Sequence, residues 1–125
     1  MKPTTGDNRK QLGLHGEQLA AEHLSKNSFI ILERNWRCRT GEIDIVAKQE
    51  NYLVFIEVRT RKNRATFGTP IESVNSRKQL QIKETAKVYL HRHQNSNLQP
   101  RFDVIALQLN ADGSICELKH VCNAF

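Results

Sequence analysis

The spacing of the apolar runs restricts the fold most. Residues 52–59 and 102–109 both read as strands, and the long stretch between them holds one helical pattern. Two strands joined by a helical crossover form a parallel pair. Upstream, residues 29–36, 42–47 and 52–59 follow one another through short polar turns, which is the pattern of an antiparallel meander. A helix precedes them, with Leu14, Leu19, Ala20, Ala21 and Leu24 on one side. A second follows from Ser76, the expected N-cap, with Gln79 in the capping-box position and Ile82, Ala86, Tyr89 and Leu90 lining one side. Residues 115–121 make a last edge strand. The expectation is an α/β domain with a mixed sheet and the order α-β-β-β-α-β-β. Residues 1–11 are expected to be a flexible tail and 12–125 a single domain. Gly16 lowers helix propensity. Either a close backbone contact or a late helix start would account for it.

Charge narrows the partner. The chain carries 19 Lys and Arg against 13 Asp and Glu, a formal net charge of +6. Residues 34–101 hold fourteen basic and six acidic side chains, a net +8, so the excess is central. A polyanion is the natural partner for such a surface, although a basic solvated face has the same composition. Three cysteines without a CxxC pair argue against a disulfide framework and a zinc ribbon. The polar N-terminus has no signal-peptide core, and no stretch approaches the roughly 18 apolar residues of a membrane span. A cytoplasmic location without membrane contact is expected.

Chemistry concentrates on two neighbouring strands. Glu42 and Asp44 are two apart and should share a face, with Ile43 and Ile45 on the other. Glu57 lies among Leu53, Val54, Phe55, Ile56 and Val58, where an ionised carboxylate is costly unless it is paired or bound to a metal. If the strands pair through the turn at residues 49–51, Asp44 and Glu57 approach each other. Two adjacent carboxylates share a proton or a divalent cation, and hard oxygen ligands suit magnesium or manganese. The plainer alternative is an ion pair of Glu57 with Arg59, Arg37 or Arg39.

These segments, Gly41-Glu42-Ile43-Asp44-Ile45-Val46 and Val54-Phe55-Ile56-Glu57-Val58-Arg59-Thr60-Arg61, resemble the bacterial YraN family of uncharacterised proteins. The likeness extends from Gly16-Glu17-x-x-Ala20 through Arg77-Lys78-Gln79 to Arg101-Phe102-Asp103-Val104-Ile105. That family is related to restriction-endonuclease-like nucleases and archaeal Holliday-junction resolvases. The resemblance implies a restriction-endonuclease-like fold and a metal-dependent endonuclease cutting DNA, branched DNA included. It makes Asp44 and Glu57 metal ligands, adds Glu17 as a further acid on the first helix, and brings Gln79 towards the site, where its other role is the helix cap. The carbonyl of Val58 would be a further ligand. Arg59 departs from the pattern, because the superfamily usually has lysine there. Arginine can neutralise phosphate or hold a water but cannot serve as a base. A nucleic-acid-binding module without hydrolysis, or a small interaction protein with a vestigial site, is the alternative. A homodimer is one arrangement the resemblance allows.

Arg61, Lys62, Arg64, Arg77 and Lys78 bracket an irregular segment and are candidate phosphate contacts. Phe67 and Trp36 read as packing residues. His15, His91, His93 and His120 make no zinc pattern with the cysteines and read as surface residues. Cys38 sits in the turn between two strands, with nothing nearby to make a Cys–His nucleophile.

Overall fold

The computed structural model describes residues 5–62, 69–93 and 97–125, with side chains from residue 9 onward. The elements are α1 (Thr5–Lys26), β1 (Ile30–Cys38), β2 (Gly41–Gln49), β3 (Tyr52–Lys62), α2 (Ser76–His93), β4 (Gln99–Leu109) and β5 (Ile115–Val121). They form one mixed sheet in the order β1-β2-β3-β4-β5. Among the described residues only the β3–β4 pairing is parallel, and α2 lies in the crossover. The order and the mixed sheet are those expected. One boundary differs substantially: α1 starts at Thr5, so residues 5–11, expected as tail, are helical. That stretch carries no apolar stripe by which the sequence could announce a helix.

The sheet is buried on both faces. Val54 and Ile56 of β3 and Ile105 and Leu107 of β4 pack with Ala20, Ala21 and Leu24 of α1. Leu53 and Phe55 pack on the other side with Ala86 and Tyr89 of α2. The period of two along β3 therefore separates two cores. Trp36 meets Tyr89 edge to face at 5.1 Å, in the structural role expected of it. Phe67 lies outside the described residues.

The helix ends are set locally. Ser28 adopts φ 68° after α1, and Phe29 N–H donates to Leu24 O at 3.0 Å. This is a Schellman closure, and Phe29 and Leu24 supply its usual apolar contact. At α2 the cap is Asn75 rather than Ser76. Its Oδ1 accepts the Lys78 N–H at 2.9 Å, so Lys78, not Gln79, holds the third helical position.

Gly16 is explained by contact. A Cβ there would lie 1.9 Å from Thr60 Oγ1 and 2.9 Å from Thr60 Cβ and Cγ2, so the Thr60 side chain of β3 fills the space a larger residue on α1 would need. Helix propensity alone would make Gly16→Ala stabilising by about 0.5–1 kcal/mol. Overpacking costs about 1–3 kcal/mol and opposes it. We expect net destabilisation, read as a lower urea midpoint, and a smaller loss in a Thr60→Ala background. An equal loss in both backgrounds would show that the contact is not the cause.

Candidate functional site

The site forms where β1, β2 and β3 stop being regular. The β2–β3 ladder runs from Gln49↔Tyr52 to Ile45↔Ile56 and ends there. One step on, the Val58 N–H donates to Asp44 Oδ2 at 2.8 Å, so a side chain takes the place of a ladder carbonyl. Opposite, on β1, Asn35 has φ 52°. A left-handed residue inside a strand interrupts the alternation of faces. Arg34 accordingly reaches Gln18 of α1 at 2.8 Å, while Trp36, also two along, packs under α2. Ile43 and Ile45 of β2, expected on one face, also fall into different cores.

This irregularity collects three acids from three elements. Asp44 of β2 and Glu57 of β3 are close enough that each carboxyl acts on the other's ionisation. Burial and then the charge of Asp44 push the Glu57 carboxyl up to about 8. Burial likewise raises Asp44. Near neutral pH the pair therefore shares a proton. Glu17 of α1 is also raised, by burial first and then by Asp44, with the nearby Asn35 side chain acting in the opposite direction. Its Oε1 is buried without a hydrogen-bond partner among the described residues. Such an orphaned carboxylate oxygen is uncommon enough to need a cause, and the three acids would have to draw closer than they stand for one cation to supply it.

Two bases converge on a single oxygen of Glu57. Lys78 Nζ stands 3.9 Å from Oε2 and Arg59 Nη1 stands 4.0 Å from it. The expected Arg59 pair is thus present, at the long limit of an ion pair. Arg37 turns instead to Glu42 at 3.3 Å, on the surface. With the Glu57 side chain only 6% exposed, these distant partners do not neutralise it.

Other candidates are placed differently. Gln79 donates from Nε2 to Val74 O at 2.9 Å, which ties the start of α2 to the preceding turn rather than to the acids. Arg61, Lys62 and Arg77 are exposed, and Lys62 lines a cavity of about 480 Å³ with Arg9, Leu12 and His15. Arg64 lies outside the described residues. His93 stacks on Tyr89 at 3.8 Å and is not paired with His91. Cys38 closes β1, with Sγ 3.2 Å from Thr40 Oγ1.

The reading of His120 as a surface residue is wrong. Its side chain is 12% exposed, and Nε2 donates to Asp103 Oδ2 at 2.9 Å. The sequence carried a signal for Asp103, an acid inside the apolar run of β4, but none for the cross-strand histidine. Asn35 was missed as well. An asparagine inside a strand, among the few residues that tolerate positive φ, was the available clue.

Among the described residues no helix is long and apolar enough to cross a membrane. A sequence profile described as "Uncharacterised protein family UPF0102" matches residues 16–107. A "UPF0102 protein" of Caldicellulosiruptor bescii is 43% identical over 120 residues, covering 94% of this chain and 99% of its own. One from Dictyoglomus turgidum is 41% identical over 118 residues, with 94% and 99% covered. One from Caldanaerobacter subterraneus is 43% identical over 119 residues, with 94% and 97% covered.

Proposed function

This chain belongs to the uncharacterised protein family UPF0102, the family its sequence resembles under the name YraN, and from that premise we propose that it is a magnesium- or manganese-dependent endonuclease acting on DNA. The observation that carries the reading is the group of half-buried Glu17 and Asp44 with buried Glu57, in which one Glu17 oxygen has no hydrogen-bond partner among the described residues. An all-carboxylate donor set is hard and suits magnesium or manganese. Asp44 and Glu57 would hold the ion, assisted by Glu17. When bound, the ion supplies charge for a phosphate oxygen and lowers the pKa of a water.

The chain's own residues set the rest. Asp44 keeps one oxygen on the Val58 N–H, which fixes the carboxylate's direction. Glu57 must lose the proton it shares with Asp44 before it can ligate, so affinity should rise with pH through about 8. Arg59 and Lys78 stand at the rim, where a phosphodiester would draw them from Glu57 and receive their charge. Arg59 cannot take a proton from a water. Arg61, Lys62 and Arg77 extend the cationic surface along the backbone of a nucleic acid. Branched DNA and a cytoplasmic setting, with Cys38, Cys116 and Cys122 free, belong to the same proposal.

The second reading is a binding module without hydrolysis, and Arg59 favours it. Calorimetry with manganese at pH 8 separates presence from absence of the ion site. We expect binding by the parent protein and none by Asp44→Asn or Glu57→Gln. Purified protein with branched, flapped and linear DNA then reports on cleavage. Cleavage that persists in either variant would mean a contaminant. Metal binding and DNA binding without cleavage would leave the passive module standing.

A further inference from the structure

A second cluster of ligating side chains lies away from the acids described above. Asp103 of β4 pairs in register with Ile56 of β3, whose side chain points into the α1 core, so it belongs to the face under α1. His120 on β5 and Cys122 just beyond it come up beside Asp103. His120 Nε2 is 2.9 Å from Asp103 Oδ2, and Cys122 Sγ is 3.7 Å from the same nitrogen. One donor atom from each of the three residues lies within 4.8 Å of the others. Asp103 is fully buried and Cys122 is exposed. A cavity of about 420 Å³ opens alongside, lined by Tyr52, Gln99, Pro100, Arg101, Cys122 and Asn123.

We propose that Asp103, His120 and Cys122 form a binding site for a borderline divalent metal ion, zinc first, with the fourth position open to solvent through that cavity. One nitrogen, one oxygen and one sulfur donor suit zinc and not magnesium. At zinc bond lengths and tetrahedral angles, N and O ligands stand about 3.4 Å apart and N and S about 3.5 Å. The two separations at His120 Nε2 need to change by about half an ångström or less, and the third pair of donors closes from within 4.8 Å. The ring of His120 is already oriented by a second contact, since His23 Nε2 lies 3.1 Å from its Nδ1. Such outer partners are what fix a ligating imidazole.

Arg101 is the feature that could oppose a cation. Its Nε bonds Oδ1 at 2.9 Å and its Nη2 bonds Oδ2 at 2.9 Å. It has other anchors, because Nη2 also reaches Gln49 Oε1 at 3.0 Å and the guanidinium lies 4.8 Å over the Tyr52 ring. It can therefore keep Oδ1 and release Oδ2. The Cys122 thiol gives its proton to solvent. The His120 proton moves from Nε2 to Nδ1, and His23 exchanges tautomer to accept it. Two negative ligands and Arg101 then surround a dication.

Cobalt(II) is the probe. Added to the full-length reduced protein, it should give a thiolate-to-cobalt charge-transfer band in the near ultraviolet and intense tetrahedral d–d bands. One equivalent of zinc should bleach both. Cys122→Ser should remove the charge-transfer band and weaken zinc binding by about 100-fold or more. Asp44→Asn should leave the band unchanged, which separates this site from the acidic one. Circular dichroism checks that the serine variant is folded, as expected for an exposed position. Cobalt binding without a thiolate band, or a band that survives Cys122→Ser, overturns the proposal.

Discussion

Glu57→Gln should raise the midpoint of thermal unfolding at pH 8 and change it little at pH 5. The sign follows from where the proton sits. Burial and the neighbouring Asp44 hold the folded Glu57 carboxyl near 8, against 4.5 for an unperturbed one. Between those values the folded chain keeps a proton that the unfolded chain has released. Stability therefore falls as pH rises from about 4.5 to about 8 and is level beyond. Asp44, raised in the same direction, adds to the slope. At pH 5 the native residue is the neutral acid, and glutamine imitates it. At pH 8 the native residue is close to ionisation beside Asp44, and glutamine is not. The gain at pH 8 should be on the order of 3 kcal/mol and 10 °C. Manganese should reverse the ranking, stabilising the parent protein and not the variant. A variant less stable than its parent at pH 8 would mean that Glu57 is a structural ion-pair residue.

Such a result would fit a general pattern. Buried like charges cost stability and persist where function requires them. Glu17 belongs to the same strained arrangement, through its unpartnered oxygen. The close crossing at Gly16 and Thr60 is what brings it there, so the crossing serves the site as well as the fold.

The element order was legible because each element carries its own periodicity. The parallel β3–β4 pair was legible because its connection is too long for a hairpin. The approach of Asp44 to Glu57 could be expected only on condition that the strands pair through the turn at residues 49–51, because the register itself is not written in the sequence. What was hidden depends on backbone conformation or on distant neighbours. The asparagine at 35 hints at a left-handed residue, but no apolar pattern announces that Trp36 then turns towards α2. The ion pair of Lys78 with Glu57 was hidden because it lies across a helix–sheet packing that no pattern encodes. Gln79 lost its expected place because Asn75 begins the helix one residue earlier.

The most instructive comparison is between two acids in apolar strands. Glu57 in Val54-Phe55-Ile56-Glu57-Val58 and Asp103 in Phe102-Asp103-Val104-Ile105 give the same sequence signal, yet their environments are opposite. Glu57 faces another carboxylate and two remote bases, and its pKa rises. Asp103 is buried too, which by itself would raise it. Hydrogen bonds from His120, Arg101 and the Asn123 N–H outweigh that and hold it below the ordinary carboxylate range. An acid in a strand therefore announces that something must compensate it, not what does so.

The second large effect is expected from Asp103→Ala. The carboxylate accepts from Arg101 Nε and Nη2, from His120 Nε2 and from the Asn123 N–H, all at 2.9–3.0 Å. Its loss strands Arg101, whose side chain is only 11% exposed, and frees His120 on β5 and the chain end after it. Breaking one side of a buried pair costs about 3–5 kcal/mol, mostly from the charge left behind. Arg101→Leu in the same chain should recover much of that loss, because it removes the stranded charge. The pH dependence has the reverse sense to that of Glu57. A depressed carboxylate contributes stability above its unfolded pKa, near 3.8, and loses it as pH falls through the lower folded value. The gap between the parent protein and Asp103→Ala should thus narrow in acid, below about pH 4, and remain full at neutral pH. Additive losses in the double variant would mean that Arg101 and Asp103 act independently, and that the C-terminal strand is held by its ladder alone.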